Sequence, residues 1–208
     1  DVDFVVFTGD NLDKANPKDL YAFAEIVKKI KPKVYVTLGN HDLYKSQQMT
    51  HINYMHLIRK KLGLYHSNKP NYVIKRGNFV FLTMNGVKEV IPGPNGYYKF
   101  EELQWLDKQL TKYKDKKVVI LQHFPLLETK TKNHNLYRKE DYLEILKKHN
   151  NVISIVSGHY HENREEMING IYHIITKNFQ NNTYYKIIEI QEGDNFVFTS
   201  LIDNSSSD

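Results

Sequence analysis

Short apolar runs alternate with segments of helical period along this chain. Val2 and residues 4–7 form a nearly continuous apolar stretch, the pattern of a strand buried on both faces. The loop Thr8-Gly9-Asp10-Asn11 follows it. Between residues 17 and 30 the apolar positions Leu20, Phe23, Ala24, Val27 and Ile30 recur at helical spacing, with Pro17 suited to the first turn. Lys31-Pro32 closes this helix, and residues 34–38 form the next strand. Strand, helix and strand in this order predict a βαβ unit with parallel strands and a right-handed crossover.

Helical spacing returns over about 47–62, through Met55, Ile58 and Leu62. Residues 72–75 and 79–84, split by Arg76-Gly77-Asn78, read as a hairpin. Residues 86–96 hold three glycines and two prolines and so predict a long loop. A helix over 100–110 places Leu103, Leu106 and Leu110 on one face, beside Trp105. Residues 118–122 form a strand, a polar loop runs to about Tyr137, and a helix near 140–148 leads to a strand over 152–157. Three further strands are expected near 171–176, 184–190 and 195–202. Residues 1–203 are expected to form one domain and the Ser-rich stretch 204–208 a disordered tail.

Composition narrows the possibilities. Of the 208 residues, 40 % are apolar and 12 % aromatic, enough for a real core and against global disorder. No apolar run approaches the ~20 residues of a membrane-spanning helix. The absence of cysteine excludes disulfides, thiolate metal sites and cysteine nucleophiles together. The net charge of +5 is spread over lysines in every segment, a solvated surface rather than a nucleic-acid groove. No nucleic-acid partner is expected; compartment and oligomeric state carry no sequence signal.

Four of the apolar strands end in loops that carry metal-type ligands. Asp10 follows the first, Asn40 and His41 the second, within Gly39-Asn40-His41-Asp42. His123 follows the third, and His159 with His161 the fourth. In open α/β sheets, sites form beyond the carboxyl ends of the strands, so the four loops point to one region. Each residue alone also fits a turn or a packed histidine; four such coincidences at equivalent positions do not. The residue types suit metal chemistry. A carboxylate such as Asp10 can bridge two cations, neutral imidazoles bind transition metals, and an amide oxygen is an uncharged ligand that leaves the metal acidic. Two cations ~4 Å apart can clamp a phosphate, supply the attacking hydroxide and offset charge on attacking and leaving oxygens. His41, next in sequence to Asn40, is placed to protonate the leaving alcohol.

Gly9-Asp10, Gly39-Asn40-His41-Asp42, His123-Phe124-Pro125 and Gly158-His159-Tyr160-His161, in this order, resemble the motifs of the calcineurin-like metallophosphoesterases. The resemblance runs from Val2 to about Ile190. It implies an α/β fold in which two mixed β-sheets pack as a sandwich flanked by helices, in four αββα layers. It also implies hydrolysis of a phosphoester substrate at a dinuclear centre of divalent transition metals, manganese, iron, zinc or cobalt. On this resemblance Asp10 bridges the metals; Asn40, His123 and His159 complete one site; His161 belongs to the other; and His41 is the general acid, oriented by Asp13 or Asp42.

Two departures accompany the match. The family opens with Asp-x-His on an upstream strand, and no Asp of this chain has His two residues later. The first strand is therefore expected to be missing, and the second metal site to be weakened to Asp10 and His161. Asp10-Asn11-Leu12-Asp13 is similar to a stretch of the Ser/Thr protein phosphatases, but Lys14-Ala15 replaces their Arg-Gly. The short chain and the Trp105-Leu106 helix resemble the phosphodiesterase branch more closely. A silent metal-binding or interaction domain on this scaffold and a nuclease of the same family are the competing readings. Among the other histidines, His51, His56, His66, His149 and His173 are expected on the surface or in packing, and His134 in a loop near the mouth.

Overall fold

The computed structural model describes residues 2–62, 68–129, 134, 136–179, 184–191, 193 and 197–203. His66, the start of the last expected strand at 195–196 and the 204–208 tail lie outside the described residues.

The N-terminal βαβ unit forms as its periodicity requires. Strand β1 (Phe4–Phe7) pairs in parallel with β2 (Lys33–Val36), and α1 (Pro17–Val27) crosses between them. The α1 helix starts where the chemistry says it should: Asn16 caps it by accepting from the Asp19 N–H, and Pro17 occupies the first turn. It stops at Val27, a turn earlier than the apolar spacing suggested. The next helix, α2 (His51–Leu62), begins later than expected because a separate 3-10 turn (Lys45–Gln47) precedes it. Its real start is Thr50, whose Oγ1 accepts from the Asn53 N–H.

Strands β3 (Val73–Arg76), β4 (Phe79–Met84), β6 (Lys117–Gln122), β8 (Val152–Ser157), β9 (Arg164–Ile168) and β10 (Ile171–Ile175) build a six-stranded sheet in the order β3-β4-β6-β8-β10-β9. The central strands β4, β6, β8 and β10 are parallel, and the edge strands β3 and β9 are antiparallel. Side-chain alternation divides the sheet between two cores. Val80, Leu82, Val118 and Ile120 face helices α3 (Phe100–Lys112) and α4 (Lys139–Lys147). Phe81, Val119, Leu121 and Val156 face the β1–β2 pair.

Aromatic contacts fix the order of the layers. Phe4 meets the rings of Tyr35 and Phe81 at 5.4 and 4.9 Å, between the sheets. Phe7, one position out of phase, meets Phe23 of α1 at 5.2 Å on the opposite face. Helices α1 and α2, the small sheet, the large sheet and helices α3 and α4 thus give the expected four-layer αββα sandwich. The second sheet consists of separate pairs among the described residues. The hairpin of β11 (Tyr184–Ile190) and β12 (Val197–Asp203) packs Ile188, Ile190 and Val197 on the inter-sheet core without joining β1–β2. Short strands β5 (Gly96–Tyr97) and β7 (Leu136–Tyr137) pair in parallel and tie together the two long loops over the sheet ends. No helix among the described residues is long and apolar enough to cross a membrane.

Candidate metal centre

The loops after β1, β2, β6 and β8 meet at one point. His123 Nε2 lies 3.3 Å from Asp10 Oδ2, 3.2 Å from Asn40 Oδ1 and 3.1 Å from His159 Nδ1. Donor atoms each ~2.1 Å from a shared ion stand roughly 3.0–3.5 Å apart, so these spacings are those of ligands around one cation. Asp10, His123 and His159 form the metal-type group of three among the described residues, with Asn40 beside it.

The tautomer of His123 follows from its surroundings. Its Nδ1 is 2.8 Å from the Thr8 carbonyl, which can only accept, so Nδ1 carries the proton and Nε2 offers its lone pair to the cluster. Burial opposes charge on both His123 and Asp10, yet their attraction outweighs it. It raises the imidazole above its ordinary value and holds the Asp10 carboxyl down at about 2. Burial, with His123 and His134 nearby, pushes His159 down to about 3. At neutral pH Asp10 as a carboxylate and His159 as a neutral imidazole are in the states a metal requires, while Asp10 favours on His123 Nε2 a proton that a metal would have to displace. His159 Nε2 is buried without a hydrogen bond of ordinary geometry, although the Pro94 carbonyl lies close enough to favour a proton there. That is the nitrogen left over when Nδ1 serves a metal. The donor set fits a divalent transition ion.

Backbone strain concentrates here. Asp10, His159 and His161 adopt left-handed φ values of 52°, 67° and 55°, each costing about 1–3 kcal/mol in a non-glycine residue. Gly9, at φ 91°, lets the chain pass so near His123 that a Cβ would sit 2.5 Å from Nδ1.

His41 is exposed beside this group. Its N–H donates to Asp10 Oδ1 at 2.9 Å, and its Nδ1 lies 2.9 Å from the main-chain oxygen of Asp13. The carboxylates expected to orient His41 do not do so. The Asp13 side chain is exposed, and its carbonyl takes the role instead. Asp42 is fully buried, accepting from Leu12 N at 3.0 Å through Oδ1 and from Gly39 N at 2.8 Å and Asn11 Nδ2 at 3.0 Å through Oδ2. Burial and the nearby Asp10 charge push its carboxyl up to about 7, against the pull of the Gly39 and Leu12 N–H groups. Asp42 fastens the Asp10 loop to the Asn40 loop. Asp42→Ala, which strands the buried Leu12 and Gly39 N–H groups and leaves Asn11 Nδ2 with only the Thr37 carbonyl, is expected to cost about 3–5 kcal/mol in urea unfolding. Unchanged stability with lost turnover would place the carboxylate in the chemistry instead.

His161 is exposed and stands outside the Asp10–His123–His159 group. Its nearest expression is electrostatic: with burial it pushes the His134 imidazole down. His134 itself packs on His159, with ring centres 4.6 Å apart. The Thr8, Asp13 and Pro94 carbonyls escaped the sequence reading, because a main-chain acceptor has no residue-type signature.

Comparison with known proteins agrees with this geometry. The family model of the calcineurin-like phosphoesterases matches residues 1–163. The probable glycerophosphodiester phosphodiesterase GpdQ of Arcobacter nitrofigilis is 28 % identical over 165 residues, covering 76 % of this chain and 56 % of the relative. The probable cyclic nucleotide phosphodiesterase CBUA0032 of Coxiella burnetii is 27 % identical over 163 residues, covering 76 % and 60 %. The chain thus spans little more than half the length of these relatives. A dimetal phosphatase from Danio rerio shares the fold, with a TM-score of 0.59 at 18 % identity, covering 88 % of this chain and 76 % of that one. Motif order, converging loops and a match over most of the sequence lead to one conclusion: the chain belongs to the calcineurin-like phosphoesterase family.

Proposed function

We propose that this protein hydrolyses a phosphoester, with a divalent transition metal held by Asp10, Asn40, His123 and His159 and a second ion position served by Asp10 and His161. The carrying observation is the approach of Asp10, Asn40 and His159 to His123 Nε2 within 3.1–3.3 Å, with Nδ1 turned away onto Thr8. Bound metal supplies Lewis acidity toward the phosphoryl oxygen and lowers the pKa of a water.

The chain's own residues do the rest. Asp10 splits its oxygens, Oδ1 on the His41 N–H and Oδ2 toward His123, so one carboxylate positions both the ligand group and the general acid. With Nδ1 turned onto the Asp13 carbonyl, Nε2 is the ring nitrogen of His41 left to face the departing alkoxide as its proton donor. No side chain need act as a nucleophile. Both relatives reported above are named for phosphodiesters, which makes a diester the first substrate to assay.

Dialysis against a chelator is expected to abolish diester hydrolysis, and manganese, zinc, cobalt or iron to restore it. His123→Ala should hold metal at least ~100-fold more weakly than the parent. Full activity in the chelated, metal-free protein would sink the proposal.

A further inference from the structure

His134 is not a free surface histidine. Its ring is held on two sides, 4.6 Å from the ring of His159 and 5.8 Å from that of Tyr160, the latter nearly parallel at 14°. Tyr160 is anchored in turn, its hydroxyl donating to the Leu127 carbonyl at 3.2 Å. The ring is partly exposed, and its nitrogens differ. Nδ1 is buried without a partner, and no hydrogen bond reaches Nε2 from the described residues.

An unmet N–H in an interior is rarer than an unmet acceptor. The lone pair therefore belongs on Nδ1 and the proton on Nε2, at the open edge of the ring. Packing has fixed a donor beside the metal-type cluster, with no acceptor for it among the described residues. A phosphoester bound at that cluster brings non-bridging oxygens, which accept such bonds strongly. Phe124 already packs on His159 at 4.7 Å, so a second ring is not needed merely to cover it.

We propose that His134 is a substrate-binding residue, whose Nε2, held at the mouth by the rings of His159 and Tyr160, donates a hydrogen bond to a non-bridging oxygen of the phosphoester. The inference rests on the phosphoesterase reading above and adds to it a specific contact from the loop after β6. Two variants of the manganese-loaded full chain separate donor from packing: His134→Phe keeps a ring and loses the donor, and His134→Gln keeps a donor and loses the ring. Metal content is read by elemental analysis, orthophosphate affinity by calorimetry, and KM and kcat on a diester. His134→Phe should retain its metal while its orthophosphate Kd and its KM rise roughly tenfold, and His134→Gln should stay closer to the parent. Unchanged phosphate affinity in His134→Phe, equal weakening in both variants, or loss of metal overturns the donor role. A parent protein that turns over diester beside an unaltered His134→Phe removes this inference alone. A parent inactive with every metal removes the phosphoesterase reading beneath it.

Discussion

Gly39→Ala is expected to destroy the metal centre and to destabilise the fold by about 3 kcal/mol or more. The Cβ of alanine would sit 2.2 Å from both the backbone nitrogen and Oδ1 of Asp10. Neither atom can give way freely. The nitrogen belongs to a left-handed residue, and Oδ1 is bonded to the His41 N–H. Displacing Asp10 moves the carboxylate of the cluster and His41 together, so metal retention and turnover should be lost at once. Metal titration of the purified variant, with urea unfolding of the metal-free protein alongside, measures both effects. Metal affinity equal to that of the parent would show that the two loops do not depend on this approach.

His41→Ala separates the proton from the metal. Its ring lies outside the ligand group and reaches it only through a backbone N–H that alanine keeps. Turnover of an alkyl phosphodiester should fall by ~10²–10³-fold with metal content unchanged, the usual size of a lost general acid. A nitrophenyl ester, whose leaving group departs without a proton, should lose much less. Equal losses on both esters would remove His41 from the leaving-group step, and loss of metal would make it a ligand.

The ligand loops could be read from the sequence because two simple rules coincide in them. Strands buried on both faces show as apolar runs, and parallel strands present their carboxyl ends on one side. Asp10, Asn40, His123 and His159 each follow such a run and meet as that argument requires. Strand β9 obeys neither rule. It is a partly exposed edge strand of sequence Arg-Glu-Glu-Met-Ile, and apolarity overlooks it. Its turn was nonetheless legible: Asn169 and Gly170 both have positive φ, the Asn-Gly hairpin signal. Asp42 misled for a different reason. Beside Asn40 and His41 it looked like one more site residue, whereas three interior donors claim its carboxylate. Burial of that kind depends on how two loops fold over each other, and residue type alone does not reveal it.

The origin of the four converging side chains has a mechanical consequence. Asp10 and Asn40 come from the β1–β2 layer, His123 and His159 from the six-stranded layer. An ion gripped by all four would rivet one sheet to the other at the rim of the sandwich. Because the unfolded chain has no such grip, free metal at a hundred times its dissociation constant would add about 2.7 kcal/mol to stability. The melting temperature should then climb with metal concentration even where no substrate is present. Hydrogen exchange at the carboxyl ends of β1 and β8 should slow in step, while the far ends of the same strands remain unaffected.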